Sequence, residues 1–91
     1  MRAVRLRIQG RVQGVGYRLW AERTAIGLGL RGWVRNRRDG AVEMLAIGKN
    51  DAVAELIARC RGGPPTARVT NVSVEQAEDD AGPAFTIKPT I

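Results

Sequence analysis

An α+β fold, one sheet with two helices packed on a single face, is what this 91-residue sequence predicts. Three observations carry that expectation. Apolar and polar residues alternate through the first strand-length stretch, two later stretches repeat apolar residues at three- and four-residue spacing, and an Asp-Gly step separates two short apolar runs.

Residues 3 to 9 set Val4, Leu6 and Ile8 against Arg5, Arg7 and Gln9, the period of a half-buried strand that stops at Gly10. Past a glycine-rich stretch, Tyr17, Ala21, Thr24 with Ala25, and Leu28 recur on one helical face, and Gly29 supplies a left-handed stop. That spacing predicts a helix of about 11 residues. Leu30 to Asn36 and Ala41 to Ile47 are two further strands, and Asp39-Gly40 between them is a strong signal for an antiparallel hairpin. Asn50 is expected to cap a second helix and Asp51 to sit at its positive end. Val53, Leu56, Ile57 and Cys60 fall at i, i+3, i+4 and i+7, so Cys60 packs inside, and Gly62-Gly63-Pro64-Pro65 ends the helix. Residues 69 to 76, rich in Val and Thr, read as a fourth strand, and beyond the acidic Glu78-Asp79-Asp80 a short strand at Phe85 to Ile87 is expected at an edge. The order strand, helix, strand, strand, helix, strand is the split βαβ arrangement of ferredoxin-like folds, βαββαβ with a short extra edge strand on an antiparallel or mixed sheet.

A chain this short buries roughly 60 to 65% of its unfolded surface and has room for one core, so one domain over residues 1 to 91 is expected. Apolar runs are only a few residues long and Arg2, Arg5 and Arg7 interrupt the N-terminus, which leaves neither a membrane span nor a signal-peptide core. A soluble, unprocessed, cytoplasmic protein is the expectation, and the single cysteine agrees with a reducing compartment.

With no histidine, Cys60 as the one cysteine and Ser73 as the one serine, Ser-His-Asp and Cys-His nucleophiles, a histidine base and His- or multi-Cys metal sites all drop out. Chemistry falls to arginines, amides, carboxylates, hydroxyls and backbone N–H groups. Residues 1 to 40 carry ten arginines against Glu22 and Asp39, a net +8, whereas residues 41 to 91 carry five bases against seven acids, a net −2. The basic half is suited to anions, since arginine meets oxyanions through a rigid fork of donors. Most of these arginines also fit a solvated surface, as do Glu22 and Asp39, and Trp20 and Trp33 fit packing rather than base stacking.

Between the first strand and first helix runs Gly10-Arg11-Val12-Gln13-Gly14-Val15-Gly16-Tyr17-Arg18. Three glycines in seven positions allow positive φ and close backbone approach, so that successive N–H groups can converge on one anion at a helix N-terminus. Arg18, in the first helical turn, can reach the same concavity. The spacing fits neither G-x-G-x-x-G nor a Walker A loop. A simple tight connection with Arg18 on the surface is the competing structural explanation. A right-handed crossover makes the first two strands parallel, which brings Asn36, at the end of Gly32-Trp33-Val34-Arg35-Asn36, to the same rim. Its carboxamide can orient a water there, or it can merely open the hairpin turn.

On the motifs Gly10 to Arg18 and Gly32 to Asn36, with Asp39-Gly40, Gly62 to Pro65 and Phe85-Thr86-Ile87 in support, the whole chain resembles a bacterial or archaeal acylphosphatase. The resemblance implies a phosphate-binding loop of Gln13, Gly14, Val15, Gly16, Tyr17 and Arg18, a grip on the phosphoryl group by Arg18, and a water positioned by Asn36. It implies hydrolysis of an acyl phosphate to carboxylate and inorganic phosphate, without cofactor, metal or covalent intermediate. Tyr17 stands where Phe is more usual, and Lys49-Asn50 where Pro-Glu is. The expected partner is a small-molecule acyl phosphate, with inorganic phosphate as product and inhibitor, no membrane, no specific nucleic acid and a monomeric chain. Two rivals remain. A basic ferredoxin-like RNA binder lacks the aromatic strand pattern such domains use. An accessory domain, as in larger hydrogenase-maturation proteins, accords less with a chain ending at Ile91.

Overall fold

The structure, a computed structural model, describes residues 1 to 91. Its elements are β1 (Arg2–Arg11), α1 (Tyr17–Gly27), β2 (Arg31–Asn36), β3 (Val42–Gly48), α2 (Asn50–Cys60), β4 (Arg68–Gln76) and β5 (Phe85–Ile87). The five strands form one sheet in the order β4-β1-β3-β2-β5. All neighbours are antiparallel except β5, which pairs parallel to β2 through Gly32↔Phe85, Trp33↔Thr86 and Val34↔Ile87. The sheet is therefore mixed, with β5 at an edge.

The alternation in β1 does what its period requires. Val4, Leu6 and Ile8 are buried in the main core together with Val34, Val42, Met44, Ala46 and Val72 from the same sheet face. Tyr17, Ala21 and Ala25 of α1 and Val53, Leu56 and Cys60 of α2 close that core, so both helices cover one face. On the opposite face Trp33, Leu45 and Ile47 form a smaller cluster, overlaid by Ala77 and Ala81 of the β4–β5 connection. No helix is long and apolar enough to cross a membrane.

Two local expectations are corrected. β1 does not stop at Gly10; it continues to Arg11 through a register shift between Gln9 and Gly10. Gly10 allows this because its φ of 124° and the 2.2 Å that would separate an added Cβ from the Arg68 carbonyl oxygen exclude a side chain there. Asn50 is not the cap of α2 but its first residue, with extended Lys49 (φ −63°, ψ 146°) at the cap and no side-chain cap bond. β3 runs to Gly48, leaving only Lys49 to turn the chain, so the helix begins one residue earlier than a capping Asn50 requires.

Gly32 has φ 139° inside β2, and an added Cβ would lie 1.9 Å from the Leu45 carbonyl oxygen. Positive φ and a backbone clash combine at this position, so Gly32→Ala is expected to destabilise the fold by at least about 2 kcal/mol, read as a drop in the chemical-denaturation midpoint.

Candidate functional site

β1 and β2 both run antiparallel to β3, which lies between them, so their C-terminal ends emerge at one edge of the sheet. Ile8 of β1 and Asn36 of β2 both face Val42 of β3. The chain leaving β1 must cross to α1 over that edge, which brings the loop of residues 12 to 16 to the end of β2. The register alone thus places Gly14, Gly16 and Asn36 at one rim.

Gly14 and Gly16 take left-handed φ of 73° and 81°, and an added Cβ at either would meet nothing within 4 Å. Conformation, not space, demands glycine here. Gly16 caps α1 with no side-chain cap bond and no acid in the first turn. The first helical hydrogen bond runs from Trp20 N–H to Gly16 C=O at 3.1 Å, and none of the N–H groups of residues 12 to 19 donates to a protein acceptor. A row of free amides at a helix N-terminus is an anion-binding arrangement, strengthened by the helix dipole.

Both ends of the loop are fixed. Val12 is buried in the core, and Thr66 Oγ1 donates to the Val15 carbonyl at 2.6 Å. Gln13 Nε2 donates to the carbonyls of Arg37 at 2.7 Å and Ala41 at 2.9 Å, so the Gln13 side chain is engaged with the β2–β3 turn and only its backbone N–H is left for the loop concavity. Tyr17 is likewise committed below the loop: its ring is buried and its hydroxyl donates to the Cys60 carbonyl at 2.7 Å. That bond ties the start of α1 to an otherwise orphaned carbonyl at the end of α2. Burial raises the Tyr17 phenol far above its ordinary pKa and pushes the Cys60 thiol up to about 11, so neither is a base or nucleophile near neutral pH. Tyr17→Phe is expected to cost about 1 kcal/mol of stability, measured by denaturant unfolding.

A cleft of about 250 Å³ is lined by Val12, Gly14, Gly16, Tyr17, Arg18, Leu19, Asn36 and Ile87. Arg18 is half-buried and has no hydrogen bond or ion pair with the protein. By contrast Arg7 pairs with Asp39, Arg31 with Asp79, and Arg35 and Arg37 with Glu43. Those guanidinium partners hold the Asp39 and Asp79 carboxyls below their ordinary range. Asn36 Oδ1 is buried without a hydrogen-bond partner, while its backbone carbonyl accepts from Ile91 N–H at 3.1 Å. A larger concavity of about 350 Å³ beside Arg5 is lined by Glu75, Glu78, Asp79 and Asp80, whose charge repels a phosphoryl group. The smaller cleft is the one where free donors and a free acceptor meet.

Of the loop residues singled out in the sequence, Gly14, Gly16, Tyr17 and Arg18 line this cleft together with Asn36, whereas Gln13 and Val15 lie in the same loop but do not line it. Arg18 contributes a side chain, Gln13 and Tyr17 are left with backbone N–H groups, and Val15 packs against the core. Sequence reasoning missed Leu19, Ile87, Thr66 and Ile91. The hydroxyl of Thr66 following Pro64-Pro65 is the one local signal among them; the others depend on contacts between distant segments. Trp33 is no stacking platform, because it is buried with Arg5, Arg35 and Lys88 lying 5.6, 4.5 and 4.9 Å from its ring centroid.

Residues 4 to 87 match the family model described as Acylphosphatase. A curated relative from Bradyrhizobium diazoefficiens, named Acylphosphatase, is 52% identical over 90 residues, 92% of this chain and 91% of that one. One of the same name from Rhodospirillum rubrum is 50% identical over 91 residues and the full length of both chains. Among solved structures, the acylphosphatase from Bacillus subtilis superposes with a TM-score of 0.89 at 37% identity, covering 97% of this chain and 99% of that one.

Proposed function

Because the chain belongs to the acylphosphatase family, an enzyme family that hydrolyses acyl phosphates, we propose that the cleft at the end of β2 is where it does so. The N–H groups of Gln13 to Tyr17 and the Arg18 guanidinium hold the phosphoryl oxygens. Asn36 Oδ1 accepts a hydrogen bond from a water and turns its lone pair toward phosphorus. The water oxygen forms the new P–O bond as the bond to the acyl oxygen breaks, the carboxylate leaves, and the water proton passes to a phosphate oxygen.

So few groups suffice because phosphoryl transfer builds charge on the peripheral oxygens in a loose transition state, where positioning and fixed donors do most of the catalysis. A carboxylate leaves readily without a strong general acid, which suits a chain with no histidine. The cleft carries no carboxylate, thiol or imidazole that would hold a divalent cation, so the phosphoryl charge is met by peptide nitrogens and Arg18. The observation that carries the proposal is the meeting of unspent N–H donors, an unpaired arginine and an unpartnered amide oxygen in one cleft.

We further propose a monomeric, cytoplasmic, single-domain enzyme that binds no specific nucleic acid. Four of the ten N-terminal arginines, Arg7, Arg31, Arg35 and Arg37, are already paired with carboxylates. A hydrolysis assay with a simple aromatic acyl phosphate tests the catalytic reading against the nucleic-acid-binding one. Turnover unaffected by a chelator and competitively inhibited by inorganic phosphate is expected. Tight, steeply salt-dependent RNA binding with no turnover is the contrary result.

A further inference from the structure

The two hydrogen bonds of Gln13 cross from the loop to the hairpin, over 24 and 28 residues of sequence. They reach the carbonyl of Arg37, the residue directly after Asn36, and that of Ala41, directly before the Val42 that pairs with Asn36. The other side-chain anchor of the loop, Thr66 to the Val15 carbonyl, ties it to the segment after α2 instead. Gln13 is thus the one side chain whose hydrogen bonds join the loop to the hairpin that carries Asn36. We propose that Gln13 is a positioning residue: its carboxamide sets the spacing between the amides that hold the phosphoryl group and the Asn36 carboxamide that holds the water.

This rests on the proposed roles of the loop and Asn36. A phosphorus held by one segment and a water held by another have to meet at about 3 to 3.5 Å, and an error of 1 Å in such a pair costs on the order of 10² in rate. Asn36 is fixed to β3 by its pairing with Val42 and to the C-terminal segment by Ile91 N–H, but neither of these contacts reaches the loop. A primary amide fits the task because its nitrogen carries two hydrogens and here meets two carbonyls. Both carbonyls have another donor. Arg37 C=O also accepts from Gly40 N–H at 3.1 Å, and Ala41 C=O from Arg37 N–H at 2.8 Å. Loss of Gln13 therefore leaves the turn's own hydrogen bonds in place, and the effect falls on the distance between loop and turn.

The test is a double-mutant cycle of Gln13→Met, which keeps the length and removes the donors, with Asn36→Ala. Gln13→Met is expected to lower kcat by about tenfold or more, with the inhibition constant of inorganic phosphate changed by less than about threefold. In the Asn36→Ala background the same substitution is expected to change kcat by less than about twofold, because a spacing matters only while there is a water-holding group to space. Gln13→Leu, which removes both donors without adding a charge beside the phosphoryl group, gives the same pattern if Gln13→Met does not fold. Effects on kcat that multiply overturn the proposal while leaving Asn36 its role, as does wild-type kcat in Gln13→Met. Wild-type kcat in Asn36→Ala itself overturns the role of Asn36 and this proposal with it.

Discussion

Arg18→Ala is expected to lower kcat/KM for an acyl phosphate by about 10² to 10³-fold or more, the cost of removing one preorganised donor from an oxyanion site. Several arginines of the basic half are tied to carboxylates, yet Arg18 has none and opens onto the cleft. An unpaired guanidinium at a helix N-terminus is electrostatically unfavourable, because the dipole end is itself positive, unless an anion joins them. Arg18→Ala therefore removes half of a matched pair while relieving the free enzyme. Its stability, measured by denaturation, is expected to be unchanged or slightly raised even as activity collapses. Arg18→Lys keeps the charge but loses the fork of donors, and it remains well below the wild type because a point charge cannot hold two phosphoryl oxygens in fixed directions.

The second large effect belongs to Asn36. Asn36→Ala is expected to lower kcat by about 10²-fold, the scale of losing a well-placed reactant, while the inhibition constant of inorganic phosphate moves by less than about threefold. The split between the two constants is the informative part. Arg18 grips the anion itself, so its loss harms binding and turnover together, whereas Asn36 touches only the water. Burial of an amide oxygen without a partner costs free energy, and Asn36→Ala removes that cost along with the function. A more stable and much slower Asn36→Ala enzyme is the expected combination, checked by denaturation and steady-state kinetics on one preparation.

Much of this architecture was legible in the residues. The alternation of Val4, Leu6 and Ile8 marked the core face of β1, the spacing of Tyr17, Ala21 and Ala25 marked the buried face of α1, and Asp39-Gly40 marked the β2–β3 turn. These signals are local, since each is written within one element. Where the sequence misled, the deciding contact was distant. β1 outruns Gly10 because β4 approaches too closely for a side chain, which nothing in residues 3 to 11 encodes. Asn50 has the chemistry of a cap but not its place, because the end of β3 decides where α2 begins.

The candidate site divides the same way. Glycines at 14 and 16 implied an unusual backbone, and both have positive φ. That Gln13 turns toward Arg37 and Ala41, that the Tyr17 hydroxyl ends on Cys60, and that Ile87 forms a wall of the cleft all depend on partners far away in the sequence. Arg18 was found because its type and place agreed with the glycine loop. Its freedom from ion pairs could come only from knowing where every acid lies.

The claim on which the mechanism depends is that peptide nitrogens of the loop and the Arg18 guanidinium close on a tetrahedral anion. Titration of the nitrogen-15-labelled protein with inorganic phosphate, followed by amide resonances, tests it most directly. Saturable downfield shifts confined to the amides of residues 13 to 19, with the Arg18 side chain, are predicted, and Arg18→Ala is predicted to weaken them. Shifts spread over Arg5, Arg35 and Lys88 on the opposite face of the sheet, with the loop amides unmoved, contradict it.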